Sequence, residues 1–507
     1  MLLANDGVLP LQAAQSIAVI GWRADTPEFQ GGGSAQVTPP YVITPLLGIS
    51  DRAGDGVVTF EAGRTAPRSA PLSGRLLATG DDTGDAPGIR LDYFPARDLA
   101  RTPLRTENVR ETTAVWLGEP APGVPAGDFS ARLTAAFTPD VSGRWTLSVS
   151  GVGTARLYLD GDPLVDTTDA PPGTEFFGLF TKPVEAEVDL ATGAVHEVVA
   201  ELDADAAEGP IPLAGLTVEA RPPAQPAAVE RAVQVAAGAD VAVVVVGQDD
   251  RETEGKDAAS MDLPPEQVAL VREVAAANPR TIVVVNTASP VTMDWADDVA
   301  AVVQMSYLGQ ETGAALAAVL FGDADASGRL TATHPRRLED SPAFPNFPGR
   351  DGTVEYAEGV FVGYRHYDTH GVDPRWCFGH GLSYTTFAYS PLTVTADADG
   401  DDDGTVVRVS VDVTNTGDRP GSEVVQVYVR AVDAPVPRPD RELKGFDKVA
   451  LDPGETVTVT VALDQRAFAC WDTQRAGWHV PEGAYEILVG SSSRAIHQTA
   501  MWTCGGD

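Results

Sequence analysis

A chain of 507 residues is too long for one hydrophobic core, and its length points to roughly three or four domains. Its formal charge of −36, from 72 acidic against 36 basic side chains, repels phosphate backbones and anionic lipid surfaces and so excludes nucleic acid as an expected partner. No apolar run approaches the ~20 residues that span a bilayer, and the N-terminus lacks the basic start and cleavage site of a signal peptide, so a soluble, cytoplasmic protein with no membrane partner is expected.

In chain order, Ser16 to Gly21 reads as a short strand closed by a glycine turn, followed by the loop Gly31 to Ser34. Between about Leu76 and Arg221 the texture changes to short alternating segments broken by Gly, Pro and Asp. Thr146–Val149 and Ala155–Leu159 are its clearest strands, which predicts an all-β insert. From Pro226 an α/β pattern returns. It comprises an Ala/Val helix through Ala237, the strand 241–246, a helix from Pro264-Pro265-Glu266 to Ala277, the strand 282–285 and an Ala-rich helix at 312–320. Wholly apolar strands alternating with helices predict a parallel sheet covered on both faces. After a Pro-rich and aromatic connector, Val407, Val409, Val411 and Val413 alternate with polar residues. Val424, Val427 and Val429, then Val457, Val459 and Val461, continue the pattern into a terminal β-sandwich.

The stretch from Arg251 to Asp257 sets Glu252 and Glu254 on a polar loop beyond the carboxyl end of strand 241–246. Ligands bind in that crevice in open α/β sheets, so a carboxylate there is a candidate acid or base; a solvated surface loop is the rival reading. His366 and His370 are four residues apart, but Asp368 and Gly371 interrupt the helix that would align them, and no metal site is expected. Ser383 and His380 lack the strand-to-helix elbow of a hydrolase nucleophile. Gly31 to Ser34 lacks the Lys and the spacing of a phosphate loop. The acidic run Asp397 to Asp403 reads as a solvated loop. Three cysteines, Cys377, Cys470 and Cys504, cannot make a disulfide framework and are expected as buried or free thiols.

Nine segments in order resemble the C-terminal half of glycoside hydrolase family 3, the retaining β-glucosidases and β-xylosidases. They are LLANDGVLPL (2–11), QGGGSAQVTPP (30–40), ETEGKDAASMDLP (252–264), VVVNTASPV (283–291), SYLGQETG (306–313), LFGDADASGRL (320–330), YAEGVFVGYRHYD (356–368), FGHGLSYTTF (378–387) and ELKGFDKVAL (442–451). Residues from Phe137 to Gly161 resemble a protective-antigen-type β-sandwich, and the C-terminal part resembles the fibronectin type III-like module of many members. The resemblance implies a discontinuous α/β sandwich at 1–68 and 225–340, an insert at 72–222, a connector at 341–390 and an immunoglobulin-like sandwich at 391–505.

The same resemblance implies Glu254 as the catalytic acid/base, with Glu252 as the fallback. Independently of the resemblance, Phe176 or Phe177 in the insert offers one ring for a sugar face at an outer subsite, and the rival reading is that one or both are core residues of the insert. Family members carry the catalytic Asp nucleophile on a TIM-like barrel before LLANDGVLPL, so the chain reads as truncated, with a separate barrel chain as one supplier. The implied substrate is a β-glucoside or oligosaccharide hydrolysed with retention, and no cofactor is implied. A non-catalytic carbohydrate-binding or scaffold protein of family descent is the alternative. Two departures stand out: Ala258 where an Arg is usual, and Ser306 and Leu308 where Trp and Pro are usual.

Overall fold

The computed structural model describes residues 1–507 except 13, 32–36, 38, 55–56, 65–68, 73–76, 78–88, 96–98, 110, 174–178, 205–211, 249–259, 399–404 and 505–507, and the side chains of 397, 398 and 405. The chain forms two compact units, Met1–Gly63 with Ala228–Asp507, and Arg64–Ala227.

The first unit is built on a six-stranded sheet of β1 (Leu2–Asn5), β2 (Ile17–Ile20), β3 (Val58–Glu61), β4 (Val241–Gly247), β5 (Thr281–Asn286) and β6 (Ala301–Met305), in the order β1-β6-β5-β4-β2-β3. Five strands are parallel, and Val241–Val244 of β4 align with Ile17–Ile20 of β2 across more than two hundred residues of sequence. The sheet is not all-parallel as expected, because β1 pairs antiparallel with β6 at the edge. A strand that enters along an edge needs no crossover helix, so this exception costs the sheet nothing in connectivity.

Four helices cover the sheet, α1 (Pro45–Ala53), α2 (Ala228–Ala237), α3 (Pro265–Ala277) and α4 (Thr312–Leu320). Alternate residues of each strand feed opposite cores. Ala18, Ile20, Val244, Val246, Val283 and Val285 pack with Ala232 and Ala236 of α2 and Leu270, Val271 and Val274 of α3. Ile17, Val19, Val243, Val245, Ile282 and Val284 pack with Ile49 of α1 and Leu316 and Leu320 of α4. Both faces are dry, which is why β4 and β5 read as unbroken apolar runs. Helices α1 and α4 approach closely because a Cβ at Gly313 would collide with the backbone of Ile43 and Thr44, and one at Gly48 with the backbone of Gly313.

The second unit is two antiparallel sheets around one core. One runs Asp162–Asp166, Thr154–Leu159, His196–Asp203, Phe129–Phe137, Ile89–Pro95, Arg105–Val109; the other has Val184–Leu190, Gly143–Val152, Leu213–Arg221 and Ala70–Pro71, with Thr113–Leu117 also on Leu213–Arg221. Residues from both sheets, Leu133, Phe137, Trp145, Leu157 and Leu216 among them, are fully buried together, with Phe137 and Trp145 edge to face at 5.2 Å.

The terminal sandwich pairs a sheet of Phe387–Tyr389, Thr405–Asn415, Thr393–Ala398 and Thr456–Leu463 with one of Glu442–Leu451, Gly421–Ala431, Gly483–Gly490 and Ile496–Cys504. Its core is Val407, Val409, Val411 and Val413 against Val425, Val427, Val429, Phe468, Tyr485 and Ile487. The LFGDADASGRL segment is the joint between this sandwich and the α/β layers. Asp325 accepts from Ser383 Oγ at 2.7 Å and from Ser422 N at 2.9 Å, and Arg419 donates to Gly322 O at 3.1 Å. Arg329 and Glu423, both buried, pair at 3.1 Å; burial pushes the Glu423 carboxyl up despite the guanidinium beside it.

Candidate active site

The carboxyl ends of β2, β4, β5 and β6 lie on one edge of the sheet, and the candidate acid/base loop leaves from the end of β4. Glu254 and Glu252 lie in 249–259, outside the described residues, as do Phe176 and Phe177 in 174–178. What the structure describes is the platform on which the loop begins and ends.

The root of the loop is clamped from two sides. Gln267 of α3 accepts from Gly247 N at 2.9 Å and donates to Gly247 O at 2.8 Å, so a buried side-chain amide replaces the ladder partner that β4 loses at its end. From the other side the Arg23 guanidinium donates to Gln248 O and pairs with Glu28 at 2.8 Å. Arg23 reaches this place because β2 is followed by Gly21, whose φ of 99° and closeness to the Val245 backbone exclude a side chain, and the chain then turns through Trp22–Ala24. Beyond the loop, Met261 O accepts from Thr292 N at 2.8 Å and the Asp262 carboxylate accepts from Thr292 Oγ1. Both ends of the loop are thus tied to the sheet edge.

The segment after β2 straps across that edge. Asn286, at the end of β5, accepts from Glu28 N at 2.8 Å and donates to Glu28 O at 2.9 Å. Gly309 N then donates to Phe29 O at 2.8 Å, and Ile43 N to Gln310 O at 2.8 Å. Exposed Tyr41 donates to Glu311, whose carboxylate holds the phenol above its usual pKa. Beside the loop after β5, His334 is buried against Trp376, and burial lowers its pKa to about 4, so the ring is neutral near pH 7.

Sequence reasoning missed Arg23, Glu28, Gln267 and Asn286. The available signal was a polar side chain closing a wholly apolar strand, as Asn286 does, since such a group must find a partner. Other candidates resolve into structure. Ser383 bonds to Asp325, and His380 Nε2 lies 2.9 Å from Leu3 O. His366 and His370 do share a helix, Tyr364–His370, with ring centroids 4.7 Å apart; Gly371 is its left-handed cap at φ 65° and not an interruption. Among the described residues no group of His, Cys, Asp or Glu is arranged to hold a metal ion. The three cysteines are free thiols, each half-buried. A cavity of about 290 Å³ lined by Asp368, Gly371, Arg441 and Arg494 is a salt-bridged joint, with Arg494 at 2.7 Å from both Asp368 and Asp373.

Residues 1–364 match the glycosyl hydrolase family 3 C-terminal domain, and residues 423–493 match the fibronectin type III-like domain. The chain belongs to glycosyl hydrolase family 3. Among its family 3 relatives, a β-glucosidase of Rhizobium radiobacter is 37% identical over 502 residues, covering 97% of this chain and 60% of its own length. A probable β-glucosidase J of Aspergillus fumigatus is 38% identical over 95% of this chain and 58% of its own. The crystal structure of a Kluyveromyces marxianus β-glucosidase in complex with glucose superposes with a TM-score of 0.89 at 33% identity, over 100% of this chain and 61% of that one. The chain therefore spans about 60% of the length of the curated relatives it matches.

Proposed function

We propose that this chain is the acid/base-bearing part of a retaining β-glucosidase, acting on the terminal β-linked glucosyl residue of a glucoside or oligosaccharide. The observation that carries the reading is the clamped root of the 249–259 loop at the carboxyl edge of the sheet, in a chain whose family 3 relatives are named β-glucosidases. Retaining hydrolysis needs two carboxyl groups about 5 Å apart, one attacking the anomeric carbon and one protonating the leaving oxygen and then deprotonating water. Glu254 takes the second role, with Glu252 as the fallback, and the nucleophile comes from a barrel in the portion of the family that this chain does not span. A general acid at neutral pH needs desolvation or a neighbouring anion to raise its pKa, and a docked nucleophile carboxylate supplies the anion. Phe176 or Phe177, in the protective-antigen-type insert, offers a ring to a sugar face at an outer subsite.

The test is hydrolysis of p-nitrophenyl β-glucoside by the purified chain, alone and after addition of a family 3 barrel. Negligible turnover alone and turnover on addition support the reading. Robust turnover by the chain alone would contradict the division of roles. Sugar binding without turnover in the mixture would favour the non-catalytic alternative.

A further inference from the structure

Gln248 is the last described residue before the 249–259 loop, and its carbonyl is held by a charged side chain. The Arg23 guanidinium donates to Gln248 O through Nη2, while Nη1 pairs with Glu28 at 2.8 Å and donates to Thr26 O at 3.3 Å. The Arg23 side chain is only 3% exposed and that of Glu28 12%. Desolvating such a pair costs about as much as its attraction returns, so apolar side chains of the same volume would hold this corner of the fold equally well. What a buried guanidinium fork adds is a fixed hydrogen-bond geometry at one peptide group.

The two ties at the loop root serve different ends. Gln267 bonds both backbone groups of Gly247 and so completes the sheet, whereas Arg23 reaches one residue further, to a carbonyl that belongs to no strand. Its partner Glu28 is itself fixed, since the backbone N–H and carbonyl of Glu28 are both taken by the buried Asn286 side chain at the end of β5. The ends of β4 and β5 leave no slack, because a Cβ at Gly247 would collide with the Asn286 carbonyl. The Gln248 peptide is thereby referred to the sheet through one guanidinium, and Glu254 follows on the same loop. A misplacement of ~1 Å in a catalytic group costs about 10²-fold in rate. We propose that Arg23 is a positioning residue for the acid/base, acting through the Gln248 carbonyl and touching no substrate. This rests on the reading of Glu254, or its fallback Glu252, as the acid/base.

A positioning defect has a kinetic signature that a general loss of structure lacks: leaving groups that need a proton suffer, and those that depart unaided do not. The probes are methyl β-glucoside and 2,4-dinitrophenyl β-glucoside, hydrolysed by the full chain mixed with the stretch of the Rhizobium radiobacter β-glucosidase that it does not match. Arg23→Met should lower kcat/KM for the methyl glucoside at least about tenfold more than for the dinitrophenyl glucoside, the same direction as Glu254→Ala. Arg23→Lys, which keeps the charge and loses the fork, should fall between Arg23→Met and wild type. Arg52→Met, in the exposed pair with Asp323, is the control and should not move the ratio. Where Arg23→Met does not fold, Glu28→Gln carries the same comparison, because it keeps the shape and removes the charge that orients the guanidinium. Equal losses on the two glucosides, or none, beside a Glu254→Ala that keeps its leaving-group dependence would overturn the proposal alone. No turnover by the wild-type mixture, or no leaving-group dependence at either Glu254→Ala or Glu252→Ala, would sink the functional reading and the proposal with it.

Discussion

Valine dominates both the α/β sheet and the terminal sandwich, yet the two bury it differently. Every residue of Val241–Gly247 is buried, whereas exposed and buried positions alternate along most of Thr456–Leu463. In the first, helices on both faces leave only the strand ends in contact with solvent, so polar chemistry is forced to the carboxyl edge, where Arg23, Gln267 and Asn286 gather. In the second, the sheet of Thr405–Asn415 and Thr456–Leu463 keeps one face wet and carries a ladder of hydroxyls, with Ser410 to Thr460 and Thr414 to Thr456 each at 2.8 Å. A sheet covered twice concentrates its polar groups at one edge; a sheet covered once spreads them along its length.

The comparison can be pressed hardest at the joint between these regions. Arg329→Ala would leave Glu423 buried without its partner, and a loss of about 3–5 kcal/mol is expected in urea denaturation. The exposed Arg52–Asp323 pair is the control, since solvent screens it and Arg52→Ala should leave the denaturation midpoint close to wild type. Equal costs at the two sites would show that the joint is not a buried lock.

Acid should expose the packing beside the sheet edge. The folded-state pKa of His334, about 4, lies below the ordinary histidine value of 6.5, so the unfolded chain binds more protons between those values. The contribution of His334 is fully present above pH 6.5 and is lost as pH falls towards 4, by about 3 kcal/mol in all. His334→Gln should flatten the stability profile across that window; an unchanged slope would assign the acid sensitivity to other groups.

Smaller effects separate the twice-covered sheet from the once-covered one. Gly313→Ala forces α1 and α4 apart and should cost about 1–3 kcal/mol in the same denaturation. Thr460→Val, on the wet face of the sandwich, should stay within about 0.5 kcal/mol. A reversal of that order would break the distinction between the two kinds of sheet.

What the sequence made legible follows the same division. The strands of β4 and β5, the helix Pro265–Ala277 and the alternating sandwich strands are visible because each carries its own period over enough residues. The helix Pro45–Ala53 went unread although Thr44 caps it, accepting from Leu47 N at 3.2 Å, with Pro45 in its first turn. The edge strand Leu2–Asn5 has only four residues and takes its identity from β6, about three hundred residues away. The loop platform was illegible for the same reason: Arg23 meets Gln248 across 225 positions and Glu28 meets Asn286 across 258. Pairings at that range leave no periodic trace, whereas the candidate carboxylates are carried by a local motif.

The most direct test of the account is azide rescue at Glu254 and Glu252, with each variant chain combined with a family 3 barrel. Losing the acid/base should slow hydrolysis of poor leaving groups by about 10²-fold or more, while an activated nitrophenyl group needs little protonation to depart. Azide attacks the glycosyl-enzyme without needing a general base. The account predicts that Glu254→Ala is rescued by azide with formation of the β-glucosyl azide and that Glu252→Ala stays near wild type. Rescue at Glu252 alone would move the assignment by two residues, and no response from either variant would contradict the claim that this loop carries the acid/base.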